Sequence, residues 1–335
     1  MSRRLQLVLI VSAVVAICSA GSHATVRWLG IKSTWSGYQR YGPQERIVRT
    51  ILHGSSPAYS GLDWTQISEV LGGSIESWAT AGSSPSEWEV QYRRSPNATR
   101  AFVVVSPTDL NEYYLCDFRG DIVPLFRTIQ DLRQCRANWQ LNRRILGQYA
   151  IAFLRKLFPT VGRSDGVMVG IRTKLEVLLG LATGTNAEDA PKFGNTTSSE
   201  DKEKLSGWSE ARTQRRLVLF SAACLGKHAF NGPKNLALIR LLQQAEKQGE
   251  LIVVVLPVSP LYQNAFLPPP VMHEFEEALT AMQARFPRAE MIFLDQLPDL
   301  NNNDYYSDFV HLNMYGQQIA TKALLERLKV LGISP

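Results

Sequence analysis

Cysteine and histidine are scarce in this chain, four and five copies among 335 residues. Cys18, Cys116, Cys135 and Cys224 form no Cys-x-x-Cys pair and have no histidine beside them at metal-ligand spacing, so neither a metal site nor a cofactor is expected. No internal repeat is present, which removes solenoid architectures. Charged residues are few, 20% against 45% hydrophobic, which excludes disorder as a whole-chain state and leaves room for one large or two small folded domains. Acidic residues fall short of basic ones, 30 against 36, for a net charge of +6.

The basic excess gathers at Arg127, Arg133, Arg136, Arg143, Arg144, Arg155 and Lys156, and again at Arg212, Arg215 and Arg216. No nucleic-acid motif accompanies it, and nucleic acid is not expected as a partner. A solvated helix face is the first reading, with contact to anionic lipid headgroups or an acidic polysaccharide as the functional one.

Residues 1–24 have their own character. Arg3 and Arg4 precede an apolar stretch from Leu5 to Ile17 broken only by Gln6 and Ser12, and Arg27 and Trp28 suit a membrane interface. The segment is read as an uncleaved inner-membrane anchor that leaves residues 25–335 extracytoplasmic. Secretion after cleavage near Cys18-Ser19-Ala20 or Ser22-His23-Ala24 is the alternative. An oxidising compartment would leave a Cys116–Cys135 disulfide open.

Apolar patterning predicts strands at residues 47–53, 74–80, 100–106, 216–222, 251–257 and 290–294. Lys234 to Gln248 reads as an amphipathic helix leading into the unbroken apolar run Leu251 to Leu256, the composition of a strand buried on both faces. Alternation of strand and helix predicts a mainly parallel α/β sheet. Residues 138–207 fit this pattern less well. Trp139 to Phe158 and Met168 to Leu181 read as helices of an insertion, followed by a polar tract from Thr183 to Ser206.

Two short stretches carry chemistry. Gly54-Ser55-Ser56-Pro57 ends the first strand, where backbone amides are free, and Asp308-Phe309-Val310-His311 precedes a helix whose apolar positions run through Leu324 and Leu328. A serine hydroxyl is a weak nucleophile at neutral pH and needs an imidazole held in one tautomer by a carboxylate. Asp308 and His311, three residues apart in one turn, supply that pair to a serine from elsewhere. Ser56 is the candidate nucleophile, with Ser55 second.

In these blocks, in their order, the chain resembles the SGNH/GDSL hydrolase superfamily, and more closely its membrane-anchored bacterial branch associated with acyl modification of cell-envelope polysaccharides. Ile51 to Asp63 matches the nucleophile block and Trp78 to Pro85 the second block, whose Gly82 matches the oxyanion glycine. Phe102 to Asn111 stands at the third block, with Thr108 at the place of the oxyanion asparagine and Asn111 as a substitute donor. Asp308-x-x-His311-Leu312-Asn313-x-x-Gly316 matches the fourth.

The resemblance implies a three-layer α/β/α domain with a Ser56-His311-Asp308 triad. It implies an extracytoplasmic serine esterase or O-acyltransferase, with an acylated glycan or small acyl ester as substrate and polysaccharide-modification machinery of the envelope as partner. The missing asparagine leaves a second expectation, an inactive relative that binds glycan or scaffolds such a complex.

Overall fold

The computed structural model describes residues 3–28, 47–114, 120, 122–136, 138–160, 204–224 and 226–333. Cys116 and the expected helix from Met168 to Leu181 lie outside them, as does nearly all of the polar tract. Cys135 carries a free thiol.

The chain divides into two compact units, one of Met1–Tyr41 with Arg144–Thr196 and one of Gly42–Arg143 with Thr197–Pro335. In the first, helix α1 (Arg3–Trp28) continues well beyond the apolar stretch that ends at Ile17. Its segment Leu5–Trp28, whose most apolar 18-residue window has a mean hydropathy of 2.2, is long and apolar enough to cross a membrane, a property shared by anchors and export signals.

The second unit is α/β. Its elements run β1 (Ile47–His53), α2 (Ser56–Ser60), α3 (Trp64–Val70), β2 (Ile75–Ser77), α4 (Pro85–Tyr92), β3 (Asn97–Val105), α5 (Pro107–Leu110) and α6 (Leu125–Gln134). Then come α7 (Trp139–Leu157), which crosses the unit boundary, α8 (Glu210–Cys224), α9 (Pro233–Gln248), β4 (Glu250–Val255), α10 (Pro260–Phe266), α11 (Pro269–Arg285), β5 (Glu290–Phe293) and α12 (Met314–Val330).

All five strands are parallel in the order β2-β1-β3-β4-β5. Leu251 to Val255 are each at most 1% exposed, because strands with both faces covered bury every side chain. Each such residue contributes about 1.5–3 kcal/mol of apolar burial. Strand order reverses between β1 and β3, and in open α/β sheets that switch point opens a crevice at the carboxyl ends of the strands.

Helix α9 turns Ala237, Leu238, Leu241, Leu242 and Ala245 inward at helical spacing, packing on β3, β4 and α4. Its amino terminus is capped from a distance. The buried Glu112 carboxylate accepts the amides of Gly232 (2.9 Å), Lys234 (3.0 Å) and Asn235 (3.0 Å), orphan donors that face the positive end of the helix dipole. Burial pushes this carboxyl up to about 7 even though the Lys234 charge and these three amides pull it down.

A second buried charge group ties α4, α6 and α9 together. Glu89 receives Arg240 at 3.0 Å and Arg127 at 2.8 Å, and Arg240 also reaches Asp131 at 2.8 Å.

One predicted strand is wrong. Residues 216–222 lie within α8, not in the sheet. The run Leu217-Val218-Leu219-Phe220 suits a strand or a helix equally by its length, and the flanking Ala211, Arg212, Gln214, Arg215, Ala222 and Ala223 favour the helix. Only Phe220 and Cys224, one turn apart, are buried, the pattern of a helix lying on the surface.

Candidate active site

The carboxyl ends of β1, β2 and β3 each deliver one block to the crevice. After β1 the chain turns at Gly54, where an added Cβ would fall 2.3 Å from Ala58 Cβ and 2.9 Å from the Val104 carbonyl oxygen, so only glycine lets the turn lie against β3. Ser56 then opens α2. Pro57 follows it, and the Ser56 amide, an orphan donor at the helix start, has no acceptor among the described residues.

After β2 the chain is tied back to β1, since Thr80 N donates to the Gly54 carbonyl at 3.0 Å and Ser83 Oγ donates to the same oxygen at 3.2 Å. These bonds hold Gly82, whose φ of +65° is a left-handed conformation suited to glycine. Its amide also has no acceptor among the described residues.

After β3, Asp109 fixes the turn that carries Thr108. One carboxylate oxygen accepts from Ser106 N (2.9 Å) and Ser106 Oγ (2.8 Å), and Ser106 Oγ lies 2.8 Å from Thr108 Oγ1. Burial drives the Asp109 carboxyl upward, against the opposing pull of the neighbouring Ser55 and Ser106 hydroxyls and of Lys234.

The base comes from the loop after β5. Asp308 folds its own turn by accepting the amides of Val310 (2.9 Å) and His311 (2.8 Å) on Oδ1, while Oδ2 receives the His311 ring at Nδ1, 2.8 Å away. Phe309 is fully buried, and its carbonyl accepts Ser259 N at 3.0 Å, which pins the loop to the segment leaving β4. Asn313 caps α12 by accepting Tyr315 N and Gly316 N, so the helix starts immediately beyond the histidine.

His311 Nε2 stands 2.8 Å from Ser56 Oγ. With Nδ1–H donated to Asp308, Nε2 is left as the acceptor for the serine proton. Burial alone pushes the Asp308 carboxyl up, but the hydrogen bond and charge of His311 and the two loop amides outweigh it, and the net displacement is downward. The carboxylate therefore stays ionised and holds the ring tautomer.

Ser56, Gly82, Thr108, Asp308 and His311 thus meet around one cavity of about 330 Å³. Asn111 does not join them. Its side chain accepts Tyr113 N (3.1 Å) and Ala229 N (3.4 Å) and donates to the Lys227 carbonyl (3.3 Å), so it braces a loop. Ser55 is buried in the wall of the same cavity as Asp109.

Sequence reasoning missed Asp109 and Lys234 in the cavity wall, together with Arg216, Leu219 and Phe220 of α8. Lys234 is buried, with its ammonium donating to the carbonyls of Asn111 (2.7 Å) and Tyr114 (2.5 Å). No local pattern announces this, because its acceptors lie some 120 residues earlier. The α8 wall had a signal, the apolar run 217–220, read with the wrong period. Among the described residues no group of three or more His, Cys, Asp or Glu side chains gathers to hold a metal.

The arrangement is able to remove a proton from a serine, and the cavity wall includes Ser56 and Gly82, whose backbone amides can receive negative charge. Compared with known proteins, the chain matches no family model and no curated sequence.

Proposed function

We propose that the protein is an extracytoplasmic serine acyl-ester enzyme. The observation that carries this reading is the chain of contacts from Ser56 Oγ to His311 Nε2 and from His311 Nδ1 to Asp308 Oδ2, both 2.8 Å. In this reading His311 takes the hydroxyl proton as Ser56 Oγ attacks the ester carbonyl, and Asp308 stabilises the resulting imidazolium. The amides of Ser56 and Gly82 receive the developing oxyanion.

Collapse breaks the ester C–O bond. The departing alcohol takes the proton from His311, leaving acyl-Ser56. A second nucleophile then surrenders its proton to His311 and carries off the acyl group. Water makes the protein an esterase, and a sugar hydroxyl makes it an O-acyltransferase.

The resemblance to the SGNH/GDSL superfamily supports a small acyl group, acetyl foremost, on a cell-surface polysaccharide. Arg3 and Arg4 before the apolar helix support a cytoplasmic amino terminus and a periplasmic active site held at the inner membrane. A part in polysaccharide-modification machinery of the envelope follows from the same resemblance.

One observation favours a second reading, a glycan-binding or scaffolding protein without turnover. Thr108 stands where an asparagine donor is expected, its hydroxyl is engaged by Ser106, and Asn111 is turned away. Loss of one oxyanion donor costs about 2.7–4 kcal/mol of transition-state stabilisation.

Hydrolysis of p-nitrophenyl acetate by the wild type, Ser56→Ala, Ser55→Ala and His311→Ala separates the two. Turnover retained in Ser55→Ala but lost in Ser56→Ala and His311→Ala, with melting temperatures unchanged, is expected. A folded wild type with turnover no greater than that of Ser56→Ala would exclude the enzyme.

A further inference from the structure

Helix α7 carries an exposed apolar face that no other described residue covers. At about 100° per residue, Phe153, Leu146, Ala150, Leu154, Gly147 and Ile151 fall in one arc of roughly 160°. All six are exposed, the larger ones strongly: Phe153 63%, Leu154 43%, Leu146 41% and Ile151 38%. Ile145 and Tyr149 are buried on the other side, so the helix is already seated in protein and its outer face is a separate surface.

The charge on α7 has one sign. Arg143, Arg144, Arg155 and Lys156 are its charged residues, with no acidic residue between Trp139 and Leu157. Arg155 and Lys156 flank the apolar arc on opposite sides, where long cationic side chains lie when the arc sinks into lipid and their heads reach the phosphates. A water-facing helix does not combine an exposed phenylalanine, leucines and an isoleucine on one arc, whereas a helix lying in a bilayer interface does.

The end of α7 is fastened to the apolar amino-terminal helix. Ser19 Oγ donates to the Leu157 carbonyl at 2.6 Å, and Ser22 Oγ lies 2.8 Å from Thr160 Oγ1 and accepts Thr160 N at 3.1 Å. A span of about 20 residues starting at Leu5 ends near Ala24, which puts both serines in its last two turns. The carboxyl end of α7 is thereby held at the depth of headgroups on the side opposite Arg3 and Arg4.

We infer that α7 is a membrane-surface helix whose Leu146–Phe153–Leu154 arc lies in the outer face of the same bilayer that α1 spans, with anionic phospholipid as its ligand. The inference rests on α1 remaining in the membrane.

The test places a photo-reactive benzoylphenylalanine at position 146, 153, 11 or 330 of the full chain. Each variant is reconstituted in vesicles of phosphatidylethanolamine and phosphatidylglycerol, and the mass of the adducts is read. Val11 lies in α1, and Val330, 76% exposed on α12, is the water-facing control.

Lipid adducts at 146 and 153 at yields comparable with 11, and none at 330, are expected. Replacing phosphatidylglycerol with phosphatidylcholine should lower the yield at 153 and leave 11 unchanged. Adducts at 11 without adducts at 146 and 153 would overturn the inference while keeping the anchor. Their absence at 11 as well would overturn the anchor on which it stands. Protein adducts at 153, to a second copy or to another segment of the chain, would show that the face is covered by protein and overturn it too.

Discussion

His53, the last residue of β1, is fully buried between Trp78 and Tyr92, and neither ring nitrogen has a hydrogen-bond partner among the described residues. Desolvation holds its pKa at about 3 against an ordinary 6.5. Between those values the unfolded chain binds a proton that the folded chain refuses, so stability falls as pH drops from 6.5 toward 3 and is level below and above that window. At 1.36 kcal/mol per pH unit, descent to pH 4 removes about 3.4 kcal/mol, and the full window about 5 kcal/mol.

Other groups titrate in the same range, and the buried Glu112, raised to about 7, works in the opposite direction by gaining stability as pH falls. Comparison with His53→Leu isolates the histidine. Denaturant unfolding of both proteins, followed by tryptophan fluorescence at pH 7 and pH 4, should show the wild type losing about 3 kcal/mol more than the variant. An equal loss in both would mean that His53 gains a proton or a partner in the folded state, and the reasoning from burial would fail.

Asp308→Asn should leave the fold in place but lower turnover by about four orders of magnitude, because the amide no longer selects the tautomer with Nε2 free, as kcat on an acetyl ester would record. In the wild type the depressed Asp308 carboxyl contributes stability at neutral pH that is lost as pH falls through its folded value, and Asp308→Asn should flatten that acid limb. Glu89→Ala should cost about 1–3 kcal/mol, because Arg127 loses its carboxylate while the partly exposed Arg240 keeps Asp131, read as a lowered denaturation midpoint without a change in KM. Gly54→Ala forces a Cβ to within 2.3 Å of Ala58 Cβ, and should abolish active-serine labelling before it abolishes folding.

Strand β4 and the second half of β3 were legible because Leu251 to Val255 and Ala101 to Val105 are apolar without interruption, a pattern that follows from burial on both faces and needs no knowledge of neighbours. The Asp308–His311 pair was legible for a similar reason, since its geometry is closed within one turn. That Ser56 meets His311 across 255 positions is a property of strand order, and only the order of the blocks hinted at it.

Three features resisted for physical causes. The run 217–220 fits a helix as well as a strand, and its burial on one side alone decides. Chain position put Asn111 near the oxyanion, but the direction of its amide is set by the loop 227–229 that it braces. The buried Glu112 makes sense only beside the amino terminus of α9, which arrives some 120 residues later, and Lys234 in the first turn of that helix only beside the Asn111 and Tyr114 carbonyls that accept from it.

The central claim is that Ser56 is a nucleophile activated by His311. Treating the full chain with a fluorophosphonate and mapping the adduct by peptide mass tests it most directly. The account predicts one adduct, on Ser56, lost in His311→Ala while the protein remains folded. A folded wild type that stays unlabelled, or that carries the adduct on Ser55, would contradict it.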